Sequence, residues 1–379
     1  MNELMAFLRS VEITEDKRQS SKVKHSMAEI IMLVFFGVLA NAEYFEEIEL
    51  IAKHYESELK KYLLLPHGIP SHDTMQRVMG LVSPTITGQL SVLWNRYVST
   101  QETEKLRKIL AIDGKTMRGN RSQTQKAAHI VTAFDAERKF CLGQTMVQEK
   151  SNEITAVPQL LRSLEMTGYT VTADAMSTQT EIASLIIKKK ADYVLVVKEN
   201  QLSLYEEIKA YLDFPKFQEE IKAGGAYKVT VEGAHGQVET REYFQTSDIS
   251  WLIKNQKGRW KNLKSIGMNR TTLEKADGTL RVDCRYFISS LEVEIDFFAD
   301  AVRKHWSVES MHWELDVVFR EDANKTLDQV AAQNLNNIYK FGLRVLKDLD
   351  MGKLSQSGRK KRFALNFKLA QYLEELFEL

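Results

Sequence analysis

Cysteine is scarce in this sequence: Cys141 and Cys284 are the only two among 379 residues. They stand far apart without a neighbouring Cys or His at metal-ligand spacing, so neither a disulfide framework nor a zinc site is supported. An excess of one charge is also lacking, because 52 Lys and Arg residues are matched by 51 Asp and Glu residues. Net charge therefore gives no argument for a nucleic-acid partner, and any basic surface must be local.

Long apolar runs are missing as well. The longest, 27–40, contains Glu29 and is too short to span a bilayer. No small-residue cleavage site follows it, and acidic residues crowd in after it, which argues against a signal peptide. We expect this run to form a buried helix in a cytoplasmic protein that does not bind membranes.

Residues 1–98 are predicted to form a small helical domain. Between about residues 20 and 98 the apolar residues recur at helical spacing, with a break at 66–70. Ser71 is placed to cap a helix that continues through Val78 and Met79. Two short helices joined by such a turn fit a DNA-binding helix-turn-helix and a packing or dimerisation bundle equally well.

Beyond about residue 104 the pattern is typical of an α/β domain. A helical segment, 178–190, separates two of the predicted strands and indicates a crossover between parallel strands. Four apolar runs have the length of strands: 109–112, 130–134, 171–173 and 193–197.

The remainder of the chain divides into three parts. Residues 202–290 carry short alternating stretches that predict a mostly β insertion. Helical periodicity follows at 296–318 and again at 326–349. The end, 349–379, is a charged tail whose basic run at 359–362 we interpret as a solvated surface.

Two aspartates follow apolar strand runs. Asp113 comes directly after 109–112, and Asp174 comes directly after 171–173. Open α/β sheets place their sites at the carboxyl ends of strands, so the two carboxylates are expected to meet at one edge of the sheet. Taken alone, either aspartate is more often a helix cap or a turn residue.

A third acid, Glu309, lies in the helical stretch 296–318. Its spacing places it on one stripe with Val302, Trp306 and Trp313, which predicts an acid on an apolar face and both tryptophans in the core. A buried carboxylate needs a cation, a metal or a hydrogen-bond partner. A structural ion pair explains Glu309 as well as a metal does when this helix is considered alone.

Three carboxylates held on rigid elements suit phosphoryl transfer, because hard divalent cations such as Mg²⁺ prefer oxygen ligands. Two such ions roughly 3.5–4 Å apart can activate the attacking oxygen and stabilise the leaving oxygen. Gly114, Lys115 and Thr116 imitate the end of a phosphate-binding P-loop, but Ile109 stands where that motif requires its first glycine, so an ATPase is not supported.

Several phrases around these acids resemble the DDE transposases of bacterial insertion sequences, in particular the group of H-repeat-associated proteins. The resemblance covers nearly the whole chain, and it is specific because the phrases occur together in this order. They are 111–119 (AIDGKTMRG), 172–176 (TADAM), 192–201 (DYVLVVKENQ), 235–241 (HGQVETR) and 305–322 (HWSVESMHWELDVVFRED).

The resemblance implies a ribonuclease H-like DDE catalytic domain at 99–348, in which Asp113, Asp174 and Glu309 bind two Mg²⁺ or Mn²⁺ ions. Its substrates would be double-stranded DNA carrying the terminal inverted repeats of the element, and target DNA, brought together in a synapse by a homodimer. The candidate DNA-binding residues are Lys115, Arg118, Lys198, Asn200, His305, His312 and Arg320.

The sequence departs from one pattern of related insertion-sequence transposases, in which Tyr, Arg and Lys flank the glutamate. Val302, His305 and Asp316 occupy those positions here, so DNA contacts are not carried over to them. Two alternatives stay open: a Mg²⁺-dependent DNA nuclease without strand transfer, and a catalytically silent DNA-binding relic of a transposase.

Overall fold

A computed structural model describes residues 2–99, 107–123, 125–147, 152–234 and 237–365. Parts of three predictions lie outside these ranges. They are the boundary between the first two domains near residue 98, residues His235 and Gly236 of one phrase, and the part of the tail beyond residue 365.

The N-terminal region is helical, as predicted. Serine side chains cap two of its helices: Ser26 accepts from the backbone N–H of Glu29, and Ser71 accepts from that of Thr74. The helices are α1 (Asn2–Glu15), α2 (Met27–Leu39), α3 (Phe45–His54), α4 (Glu56–Leu59), α5 (His72–Met79) and α6 (Pro84–Ser99).

The long apolar run forms the buried helix that its composition predicts. Every residue of α2 is buried, and the carboxylate of Glu29 accepts a hydrogen bond from the backbone N–H of Leu65 at 2.9 Å. None of the described helices combines the length and apolar character needed to cross a bilayer.

A mixed nine-stranded sheet forms the centre of the molecule, in the order β3-β2-β1-β4-β5-β9-β8-β7-β6. β1, β4 and β5 are parallel, and each of the other strands is antiparallel to its neighbours. The strands are β1 (Lys108–Thr116), β2 (His129–Asp135), β3 (Phe140–Met146), β4 (Tyr169–Ala173), β5 (Asp192–Val197), β6 (Tyr227–Ala234), β7 (Gln237–Thr246), β8 (Ser265–Lys275) and β9 (Leu280–Ser289).

The four predicted apolar runs lie in β1, β2, β4 and β5, and the helix between the last two is α8 (Thr180–Lys188). α7 (Glu153–Ser163) precedes β4. Neighbouring residues of β5 enter different cores: Leu195 packs with α7 and α8, and Val194 packs with the helix that follows β9. Helices thus cover both faces of the sheet.

The predicted insertion continues the central sheet, because β9 pairs with β5. Its four strands are accompanied by three helices that the alternating pattern did not predict, since each is short and amphipathic. These are α9 (Leu202–Leu212), α10 (Pro215–Ala223) and α11 (Ser250–Asn255).

The helical stretch 296–318 is two helices rather than one. α12 (Ile295–His305) and α13 (Ser307–Phe319) are separated by the single residue Trp306. The hydroxyl of Ser307 donates to the carbonyl of Lys304 at 2.6 Å, a local bond that competes with the helical ladder.

Two helices follow α13: α14 (Gln329–Asp348) and α15 (Gln356–Leu365). α13, α14 and α15 share one core with α1 to α6, in which Phe35 of α2 stacks on Phe341 of α14 with ring centroids 4.5 Å apart. The interpretation of 359–362 as a solvated surface is wrong for Lys360, which is buried and donates to the carbonyl of Val318 at 3.1 Å.

Candidate functional site

Asp113 and Asp174 occupy matching positions on neighbouring parallel strands. The last paired residues of β1 and β4 are Ile112 and Ala173, and each aspartate is the next residue of its strand line. Asp113 lies inside β1 rather than after it, because β1 stays paired with β2 as far as Thr116. Asp113 and Asp174 therefore lie side by side, directly after the last paired residues of β1 and β4.

Glu309 lies on the first turn of α13. On this helix, His312, Trp313 and Asp316 follow Glu309 at spacings of three, four and seven, so all four share one side. That side is not the apolar face that the spacing predicted, because α12 and α13 are separate helices and Glu309 is exposed. The apolar residues of α13 lie elsewhere on the helix: Val308, Met311, Leu315, Val318 and Phe319.

Two histidines contact the strands that lead to the aspartates. The ring Nδ1 of His312 lies 3.2 Å from the carboxylate of Asp113, and its Nε2 is buried without a hydrogen-bond partner among the described residues. The Nδ1 of His305 lies 3.0 Å from the hydroxyl of Thr172, two residues before Asp174. The backbone N–H of Ser177 donates to the carboxylate of Asp174 at 3.1 Å.

The charge of Asp113 acts on the other two candidate carboxyls, those of Asp174 and Glu309. Burial raises the pKa of Asp174, and the charges of Glu153 and Asp113 raise it further. Partial burial and the charge of Asp113 likewise raise the pKa of Glu309. Burial acts against the ionised form of Asp113, but His312 and His305 outweigh it and lower the pKa of that carboxyl. Burial is thus the main cause for Asp174 and Glu309, and neighbouring acids add to it.

A fourth acid, Glu153, lies next to this group and was not identified from the sequence. Its carboxylate is 2.5 Å from Nε2 of His129, whose Nδ1 is 2.8 Å from the hydroxyl of Thr116. The pair packs against the backbone of Gly114, where a Cβ would lie only 2.6 Å from the His129 ring. Glu153 opens α7 and has no local motif, so only the folded chain brings it here.

Lys115 is enclosed by acids. Its ammonium forms ion pairs with Asp316 of α13 and with Glu321, a fully buried residue just after that helix. Burial acts against its charged form, but Glu321 and Asp316 outweigh it and raise the pKa of Lys115. Because Lys115 lies on β1 and Asp316 on α13, this pair ties the strand of Asp113 to the helix of Glu309.

The other candidate DNA contacts differ in how free they are. Arg118 is exposed, with its guanidinium 3.7 Å from the carboxylate of Asp322. Lys198 is also exposed and directly follows β5, at the same edge of the sheet as Asp174. The side chain of Asn200 instead donates to the carbonyl of Ala175 at 2.6 Å. Arg320, in the left-handed conformation at the end of α13, forms an ion pair with Glu43 at 2.8 Å.

The prediction that both tryptophans belong to the core is wrong for Trp313, which is 62% exposed. Trp306 is half-buried, and the guanidinium of Arg285 lies 4.5 Å from its ring centroid. Trp313 and Glu309 line a cleft of about 650 Å³ beside α13.

Three carboxylates are a donor set that suits Mg²⁺ or Mn²⁺, which take oxygen ligands. Among the described residues, one group of three acids has ligand atoms within 4.8 Å of one another: Asp316, Glu321 and Asp322. The ammonium of Lys115 already supplies the cation there. Asp113, Asp174 and Glu309 are spaced more widely than this.

Comparison with known proteins covers most of the chain. Residues 104–339 match the family model described as Transposase DDE domain, and residues 8–94 match the model described as DDE_Tnp_1-associated. Putative transposase YncI of Escherichia coli O157:H7 is 35% identical over 98% of this chain and 94% of its own length. H repeat-associated putative transposase YhhI and Putative protein YbfL, both of E. coli strain K12, are each 33% identical over 91% of both chains.

Proposed function

Because this chain belongs to the DDE transposase family, we propose that it cleaves DNA at the ends of an insertion sequence and joins the freed ends to target DNA. The observation that carries the proposal is the pairing of β1 with β4, which brings Asp113 and Asp174 to one edge of the parallel strands. The pKa of Glu309 on α13, raised by burial and by the charge of Asp113, supports its assignment to the same site.

In this proposal Asp113, Asp174 and Glu309 hold two Mg²⁺ or Mn²⁺ ions. When bound, such ions activate an attacking oxygen and stabilise the leaving oxygen of a phosphodiester. His312 orients the carboxylate of Asp113 through its ring nitrogen, and supporting bonds of this kind fix the direction in which a ligand points. The Lys115–Asp316 ion pair fixes the position of α13 relative to β1.

The reaction would proceed in two displacements at phosphorus. Water forms a bond to phosphorus at the element end while the bond to the 3′-oxygen breaks, which releases a 3′-hydroxyl. That hydroxyl then forms a bond to phosphorus in a phosphodiester of the target strand while the bond from this phosphorus to the target 3′-oxygen breaks, which releases a 3′-hydroxyl on the target. We assign the terminal inverted repeats and the target as double-stranded DNA, held in a synapse by a homodimer.

The strand order β3-β2-β1-β4-β5 and the position of the acids support a ribonuclease H-like core. In the proposed division, this core spans 99–348 and carries the insertion 202–290, after a helical N-terminal domain at 1–98 and before a tail at 349–379. The side chains of Arg118 and Lys198 are exposed, so we assign them to the DNA backbone.

The test uses DNA that carries the inverted repeats flanking the gene, with Mg²⁺ or with EDTA. Cleavage at the repeat end followed by joining supports the proposal, cleavage without joining makes the chain a nuclease, and binding alone makes it a silent relic. Asp113→Asn should abolish cleavage and keep DNA binding. The matched control is Asp277→Asn, an exposed aspartate in the turn between β8 and β9, and it should cleave like the parent.

A further inference from the structure

The exposed indole of Trp313 is unlike the other tryptophans of the chain. Trp94 and Trp260 are 3% exposed and Trp251 and Trp306 are half-buried, whereas Trp313 is 62% exposed. A large aromatic side chain that stays in contact with water gives up most of its burial energy, so an exposed one beside a cleft indicates a binding surface.

The position of Trp313 directs it toward the candidate site. It follows Glu309 by one helical turn on α13, and side chains on a helix lean toward the preceding turn. Glu309 and Trp313 both line the cleft, and so does Lys139 from the turn between β2 and β3. Glu309 therefore lies between Asp113 on one side and the cleft on the other.

The charges of the cleft favour a polyanion. Lys139, Arg303 and Lys347 line it together with Glu309 and Glu314. Lys347 is paired with Glu314 at 2.5 Å, while Lys139 has no ion-pair partner among the residues that the structure describes. Arg303 lies 3.6 Å from the carboxylate of Glu232, so Lys139 is the lining cation left to meet a ligand. A flat aromatic face beside an unpaired cation suits a nucleotide strand, with the base on the ring and the phosphate on the cation.

We infer that this cleft binds the DNA strand next to the cut, with Trp313 stacked on an unpaired base at the strand end and Lys139 on a phosphate. This inference rests on the proposed function and deepens it, because it assigns the surface that holds the strand end at Glu309. Base–aromatic stacking contributes about 1–3 kcal/mol per base. Loss of the ring should therefore weaken binding by roughly 5-fold to 150-fold.

The test measures binding of a duplex that ends in the inverted repeat and carries 2-aminopurine as its terminal base. The unmodified protein should quench the 2-aminopurine fluorescence. Trp313→Ala should lose the quenching and the affinity, and Trp313→Phe should keep part of both. Phe214→Ala is the matched control, because Phe214 is 50% exposed on the insertion, away from the cleft, and its loss should change neither signal.

Lys139→Ala should make the slope of log K against log salt concentration shallower by about one, as expected for the loss of a single phosphate contact. The control is Lys188→Ala, which removes an exposed lysine at the end of α8. This variant should leave the slope of log K against log salt concentration unchanged. Quenching and affinity in Trp313→Ala equal to those of the parent would overturn the inference while leaving cleavage untouched. Absence of any binding by the parent protein would overturn both the inference and the proposed function.

Discussion

Replacement of Lys115 by methionine tests how the site is held together. The change keeps the length of the side chain and removes the ammonium that pairs with Asp316 and Glu321. Glu321 is fully buried, and among the described residues its carboxylate then keeps only the hydrogen bond from the side chain of Asn336. The variant must therefore bury an ionised carboxylate without its cation.

The size of the effect follows from burial. Removal of one partner from a buried ion pair costs about 3–5 kcal/mol, whereas an exposed pair contributes about 1 kcal/mol or less. Lys115 and Glu321 form a buried ion pair, whereas the pair of Lys115 with the partly exposed Asp316 adds little to the free energy of unfolding. We expect Lys115→Met to lower the free energy of unfolding by about 3–5 kcal/mol, and to reduce cleavage because α13 is no longer tied to β1.

Urea unfolding followed by tryptophan fluorescence measures the loss. The double variant Lys115→Met with Glu321→Gln removes the unpaired charge, so it should be more stable than the sum of the two single losses predicts. The control Lys188→Met changes an exposed lysine and should stay within about 0.5 kcal/mol of the parent. Losses that simply add in the double variant would refute the coupling.

Three further changes follow from burial and charge. Gly114→Ala should cost about 1–3 kcal/mol and displace Glu153, since a Cβ there meets both Glu153 and the His129 ring; an unchanged melting temperature would contradict this. Burial lowers the pKa of Lys360 to about 8, so its charged form weakens the fold at neutral pH and this loss disappears as the pH rises from about 8 toward 10.5. Lys360→Met should accordingly gain stability over the parent at pH 7.5 and gain less at pH 9.5 in urea unfolding, and an equal difference at both would show that the charge is irrelevant. Because the raised pKa values of Asp174 and Glu309 weaken the metal-free fold as the pH rises through them, Mn²⁺ should raise the melting temperature at pH 8 and much less near pH 4.5, and an equal rise at both would argue against these ligands.

The sheet and its two aspartates could be predicted from local pattern. Apolar runs of strand length before Asp113 and Asp174 predict buried strands, and the parallel pairing of β1 with β4 confirms the two strands. Only Asp174 follows its strand, because β1 continues to Thr116. The resemblance to DDE transposases is confirmed by the family match over 104–339. The assignment of Asp113, Asp174 and Glu309 as catalytic stays a prediction.

Other features depend on contacts that local pattern does not contain. Glu153 and His129 reach Gly114 only because α7 and β2 pack beside β1. The periodicity through 296–318 continues across Trp306, so it did not reveal that Ser307 begins a new helix and that Trp313 faces water. Lys360 is buried because α15 packs on α13, although its neighbours make it look like part of a solvated run.

Anomalous diffraction from crystals grown with Mn²⁺ tests the shared metal site most directly. The account predicts two Mn²⁺ ions beside Asp113, with Asp174 and Glu309 among their ligands and Lys115 still paired with Glu321. Manganese bound instead among Asp316, Glu321 and Asp322, with none at Asp113, would contradict it.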